Sequence, residues 1–142
     1  MLSLNSSAKA ETLNSVSHIH HVKVIENKVH VLTHEGLFEL VGKNDIKLVG
    51  KDRIDVMGFT SLGKLLFASG HPAIGSKMPN PIGLVKSLDG GLTWKSVSLV
   101  GKVDFHFLEG AGSDLYGADS QTGKFMYSAD SGQTWRTLGT NT

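Results

Sequence analysis

Ser87-Leu-Asp89-Gly-Gly91-Leu-Thr93-Trp94 is answered later in the chain by Ser128-Ala-Asp130-Ser-Gly132-Gln-Thr134-Trp135, and both stretches read S-x-D-x-G-x-T-W. The copies lie 41 residues apart at both ends of the octet. A fixed period of about that length marks repeated supersecondary units, and it matches one four-stranded blade. Each octet position has a mechanical reason. Ser and Asp two residues apart turn their oxygens onto backbone N–H groups of a tight turn, and the central Gly takes a left-handed conformation that a β-carbon would oppose. Thr and Trp restart a strand, and the Trp ring supplies an apolar plate to pin the turn against the neighbouring blade.

Working outward, the chain divides into three units of the same order: strand, turn, strand, loop, strand, octet turn, strand. The first runs through His18–Ile25, Val29–Thr33, Gly36–Val41 and Ile46–Val49. The second runs through Ile54–Thr60, Lys64–Ser69, Ile82–Ser87 and Thr93–Ser98, and the third through Val103–Leu108, Asp114–Ala118, Lys124–Ser128 and Thr134–Leu138. In the first unit the octet has shrunk to Val41-Gly-Lys-Asn-Asp45, as suits a terminal repeat. The expectation is an all-β, propeller-type array of three four-stranded antiparallel blades at about 17–50, 51–101 and 102–140. Residues 1–16 are small, polar and aperiodic, and read as a flexible tail.

The octet resembles the Asp-box, or bacterial neuraminidase (BNR) repeat, of sialidases, sortilin-type receptors and photosystem II assembly factors. In those families it sits between the third and fourth strands of a β-propeller blade, away from the active site. The resemblance therefore makes Ser87, Asp89, Gly91, Thr93, Trp94, Ser128, Asp130, Gly132, Thr134 and Trp135 structural. Further pieces, Ser17-His-Ile-His, Thr33-His-Glu-Gly-Leu-Phe, Met57-Gly-Phe-Thr, Ala68-Ser-Gly-His-Pro and Asp104-Phe-His, resemble bacterial Asp-box proteins labelled glycosyl hydrolases. That likeness covers about residues 17–139, roughly the front half of those longer chains. It implies the fold and not a reaction, because the label rests on the repeat.

Three blades do not close a ring, since propellers close with roughly four to eight. Two copies would make six blades about a two-fold axis, so a homodimer is expected. A missing second half is the other solution, and a monomeric arc is the plain alternative. Composition narrows the partners. The 142 residues hold 17 Gly, three Pro and no Cys, with a net charge of +1 and Lys scattered singly. A nucleic-acid partner is not expected without a basic stripe, nor are disulfides or thiolate metal sites without Cys. No stretch is long and apolar enough for a membrane span, and the opening residues lack a signal-type apolar run. Were relatives of this type exported, this chain would have lost or been trimmed of its signal; the compartment stays open.

The topology locates a site. Octet turns share an end with the loops joining first and second strands; the opposite end carries the second-to-third-strand loops and the crossings between blades. Sorting polar residues by this rule collects His18, His20, His34, Glu35, Arg53, His71, His106 and Asp119 there as ligand-binding candidates, with Asp55 and Asp104 at the starts of inner strands. The His-rich end reads either as a polar pocket for a carbohydrate or small molecule, or as a divalent-metal site. His18 and His20, two apart on a strand, face the same way, and with His34 are the metal candidates. The bland alternative is channel-lining His bonded to backbone or water, with His30 on a solvated face. The loop His71–Pro81 holds every Pro and reads as a pocket wall or an inter-blade brace. The enzyme alternatives are a metal-dependent enzyme and a sialidase-like glycosyl hydrolase, and the latter fits poorly: the family's arginine triad has only Arg53 and Arg136 to draw on, and Tyr116 and Tyr127 lie on outer strands. Asp55 and Asp104 remain the catalytic candidates for a two-carboxylate mechanism. The leading expectation is a ligand-binding or scaffolding module.

Overall fold

In the computed structural model, residues 11–141 are described, and they build three antiparallel sheets. Blade 1 is β2 (Ile19–Ile25), β3 (Lys28–Thr33), β4 (Gly36–Leu40) and β5 (Asp45–Leu48), with β1 (Glu11–Thr12) added along β5. Blade 2 is β6 (Asp55–Leu62), β7 (Leu65–His71), β8 (Leu84–Ser87) and β9 (Lys95–Ser98). Blade 3 is β10 (Phe105–Ala111), β11 (Asp114–Asp119), β12 (Lys124–Ser128) and β13 (Arg136–Thr140). Strands pair in chain order within each blade, so every connection inside a blade is a hairpin.

Blade 2 is covered on both faces, and its sequence shows why. In β7, Leu66 and Ala68 join Leu32 and Leu37 of blade 1, whereas Phe67 joins Phe105, Leu108 and Leu115 of blade 3. Successive side chains on a strand point to opposite faces, so a continuous apolar run serves two cores at once. The blades also touch through backbone. A β-carbon on Gly58 would stand 2.2 Å from the Phe105 carbonyl oxygen, and the Ser69 hydroxyl accepts from the Phe105 N–H at 3.0 Å.

The two octets fold alike. The Ser87 and Ser128 hydroxyl oxygens accept from the Gly91 and Gly132 N–H groups at 2.8 and 2.9 Å, and Asp89 and Asp130 each accept from Thr N–H and hydroxyl. Gly91 and Gly132 have φ of +94° and +85°. Their missing β-carbons make room for Leu37 of blade 1 and Leu84 of blade 2 respectively, so each octet reaches back to the preceding blade. Trp135 does the same: its indole N–H donates to Ser98 Oγ at 3.0 Å while the ring lies 4.9 Å from Phe105.

The Thr93 hydroxyl and N–H, then the Ser87 hydroxyl, pull the Asp89 carboxyl down to about 2 from its ordinary 3.8; Thr134 and Ser128 do the same to Asp130. A folded pKa below the unfolded one means that this contribution is complete above about 3.8 and fades as pH falls toward 2. Carboxyl carbon NMR titration of the folded chain is expected to give midpoints near 2 for both. Midpoints near 3.8 would show that the octet bonds do not persist in solution.

Two expectations need correction. Residues 1–10 of the expected tail lie outside the described residues, but the last part is structured: Glu11 and Thr12 pair with Ile46 and Asp45, and the Leu13 N–H donates to the Asn44 carbonyl. An unpaired blade edge offers backbone partners that composition does not reveal. His30 is 5% exposed rather than solvated, with Nδ1 3.1 Å from the Lys28 carbonyl. Among the described residues no helix is long and apolar enough to cross a membrane.

Candidate functional site

The three inner strands, β2, β6 and β10, share an irregularity that builds the site. Pairing jumps between Ile19 and His21, between Val56 and Gly58, and between Phe105 and Phe107. The skipped residues are His20, Met57 and His106. A bulge at an identical place in each blade re-aims that one side chain. Two residues earlier stand His18, Asp55 and Asp104. One residue beyond the bulge's cross-strand partner, where the second strand ends, stand His34, His71 and Ser120. Sites thus form where the end of one blade's second strand meets the start of the next blade's inner strand.

At the first junction His34 Nδ1 lies 2.8 Å from Asp55 Oδ1 and 3.2 Å from His20 Nε2, and His20 Nε2 lies 3.6 Å from Asp55 Oδ1. At the second, Asp104 Oδ2 lies 2.9 Å from His106 Nε2 and 3.2 Å from His71 Nε2, and accepts from the Ser120 hydroxyl at 2.8 Å. The imidazoles reach solvent while the Asp104 side chain is buried. Burial, then the neighbouring His34, pushes the His20 pKa down, outweighing the pull of Asp55.

Other candidates fall into different roles. His18 sits edge-on to His34, with ring centroids 4.9 Å apart, and is outside both triplets. His20 lies edge-on to the same His34 ring, with centroids 4.4 Å apart, so both side chains reach that ring while only His20 joins a triplet. Glu35 Oε1 accepts from the Ser17 N–H and hydroxyl at 3.0 and 2.6 Å; burial raises its pKa, but these bonds outweigh it and leave the carboxyl below its usual range. Arg53 turns away, donating to Glu11 and lying over the Phe38 ring. Asp119 is a loop staple: burial alone would raise its pKa, but hydrogen bonds from Thr122 and from the backbone of Asp104, Gln121 and Thr122 hold it down. Asn80 was not singled out as a site residue from sequence, yet its Oδ1 lies 2.7 Å from His71 Nδ1. The loop that carries it also braces the blades, since Ile82 is buried and Met78 packs on the core between blades 1 and 2.

A cleft of about 400 Å³ opens instead at the octet end, among Val24, Glu26, Lys64 and Leu88. Its Asp89 is already committed to Thr93. The chemistry and this cleft are therefore at opposite ends.

The chain is similar to the solved structure titled "YCF48 bound to D1 peptide", a β-propeller, with a TM-score of 0.62 and 16% identity. The fold is propeller-like. The likeness covers 92% of this chain and 42% of that one, so the chain spans less than half the length of that propeller. No protein-family model and no curated protein matches the chain.

Proposed function

We propose that the chain is an Asp-box propeller module that binds a ligand at its His-rich end and has its ring completed by a second copy. The observation that carries this reading is the repetition of a His–Asp pair, His34 with Asp55 and His71 with Asp104, at two successive blade junctions, each joined by a bulge histidine, His20 from the preceding blade at the first and His106 from the following blade at the second, on the end away from the octet turns. Asp55 and Asp104, which a two-carboxylate hydrolysis would pair, serve separate His groups here. YCF48 was solved with a D1 peptide bound, which accords with a binding role for a propeller of this kind. The second copy is argued from the outer face of blade 3. Phe107, Tyr116 and Phe125 are 74%, 40% and 45% exposed there, a row that the next blade of a closed propeller would cover.

Two measurements test the reading. A thermal-shift panel of acidic and neutral oligosaccharides and short acidic peptides, run on the wild type and on His34→Ala/His106→Ala, is expected to yield a ligand whose shift disappears in the variant. A ligand whose shift survives there but is lost in Lys64→Glu/Leu88→Asp would move the binding surface to the octet end and overturn it. Light scattering is expected to give twice the 15.2 kDa chain mass, falling to one chain in Phe107→Asp/Phe125→Asp. A wild-type monomer would overturn the second copy.

A further inference from the structure

We propose that the His-rich end holds two divalent transition-metal ions per chain, one in His20–His34–Asp55 and one in His71–Asp104–His106, with zinc the ion best suited to the donors. The inference rests on the reading of this end as the binding surface and names its chemistry. Each group offers two imidazole nitrogens and a carboxylate oxygen within 4.8 Å of one another, a donor set that zinc accepts readily.

At the first junction the distances themselves fit an ion. Separations of 3.2, 2.8 and 3.6 Å place the three donor atoms on a circle of about 1.9 Å radius. An ion bonded at about 2.0–2.1 Å to each would sit roughly 0.8 Å off their plane. Protons satisfy this triangle badly. An imidazole nitrogen carries one proton or one lone pair, aimed one way in the ring plane, whereas His34 Nδ1 faces both His20 and Asp55. A single cation at the centre satisfies all three atoms.

At the second junction two independent observations converge. His71 Nδ1 faces the Asn80 carbonyl oxygen at 2.7 Å and donates there; in the neutral ring Nε2 then presents a lone pair toward Asp104 Oδ2. Two acceptors 3.2 Å apart call for a cation between them, and an imidazole whose far N–H is held by a carbonyl is the usual outer arrangement of a metal ligand. Asp104 Oδ1, meanwhile, is buried without any hydrogen-bond partner, on a residue 3% exposed. A buried carboxylate with one oxygen bare is costly, and an ion held at the other oxygen, Oδ2, offsets the charge of the group as a whole. Three protein donors leave at least one position open to solvent, where a carboxylate or phosphate oxygen of a bound ligand would enter.

The experiment is equilibrium dialysis of the chelator-stripped full chain against zinc chloride with the metal counted by mass spectrometry. The wild type is expected to hold two ions, His20→Gln/His34→Gln one, His71→Gln/His106→Gln one, the quadruple variant none and His18→Gln two. Magnesium in tenfold excess is expected to displace neither, because it prefers oxygen donors. X-ray absorption at the zinc edge is expected to show nitrogen and oxygen neighbours at about 2.0–2.1 Å. Circular dichroism confirms that each variant folds, and for any that does not, loss of those absorption distances in the corresponding single variants replaces the count. Fewer than two ions on the wild type, or two retained by the quadruple variant, overturns the proposal. The ligand panel repeated in chelator separates the two readings. His-dependent ligand shifts without zinc binding sink the ions alone, and two ions without any His-dependent ligand sink the ligand site alone.

Discussion

Gly58→Ala is expected to lower the melting temperature by about 10 °C, the cost of prising two blades apart. The added methyl would stand 2.2 Å from the Phe105 carbonyl oxygen and 3.3 Å from the Leu108 β-carbon. The first of these is backbone and cannot rotate away. Relief requires β6 and β10 to separate by about an ångström, which opens the core around Phe67, Phe105 and Leu108. Overpacking of this kind costs roughly 3 kcal/mol, and for a domain of this size each kcal/mol is worth roughly 3–4 °C. Thermal unfolding followed by circular dichroism measures it. A change within about 2 °C would show that blades 2 and 3 tolerate a looser junction than their packing indicates.

Phe105→Ala is expected to cost more, about 3–5 kcal/mol. Phe105 is fully buried, its ring lies against Trp135, and the space it occupies is left open by Gly117, whose β-carbon would fall 2.6 Å from the ring. The pair should therefore be coupled. Gly117→Ala alone is expected to cost about 1–3 kcal/mol by crowding the ring. With the ring gone that crowding vanishes, so the double variant is expected to be more stable than the sum of the single changes implies. Urea unfolding of the four chains provides the cycle. Simple additivity would mean that Phe105 and Gly117 are not packed as a complementary pair.

The architecture was legible because its signal was local and written twice. The octets place a turn before the fourth strand of blades 2 and 3, and the runs around them fix the other strands by spacing. Blade 1, which lacks the octet, was reached by analogy of order. The site was legible only in outline. Placing His34, His71, Asp55 and Asp104 at one end follows from up-and-down connectivity, but which residues meet does not. The bulges at His20, Met57 and His106 insert one residue into a period of two, so alternation alone does not say which side chains meet across a junction: His18 and His20 both reach the His34 ring, and only His20 stands with Asp55. Arg53 shares the expected end with the His group, yet Glu11 and the Phe38 ring draw it elsewhere. Glu11 belongs to a segment whose composition concealed its pairing with β5. Asn80 was hidden because its contact with His71 closes a loop, and nothing in the intervening residues fixes how that loop returns.

The octets have a mechanical consequence. Each braces its own blade against the one before it, through Gly91 on Leu37 and Gly132 on Leu84, so both internal joints of the arc are riveted. The turn Gly42–Asn44 in blade 1 has no such rivet to offer. Any neighbour that docks on the free face of blade 1 therefore meets a blade with no octet of its own to reach across. In any ring these blades complete, the joint in front of blade 1 is expected to open first under load, heat or dilution, because it lacks the octet brace that the two internal joints share.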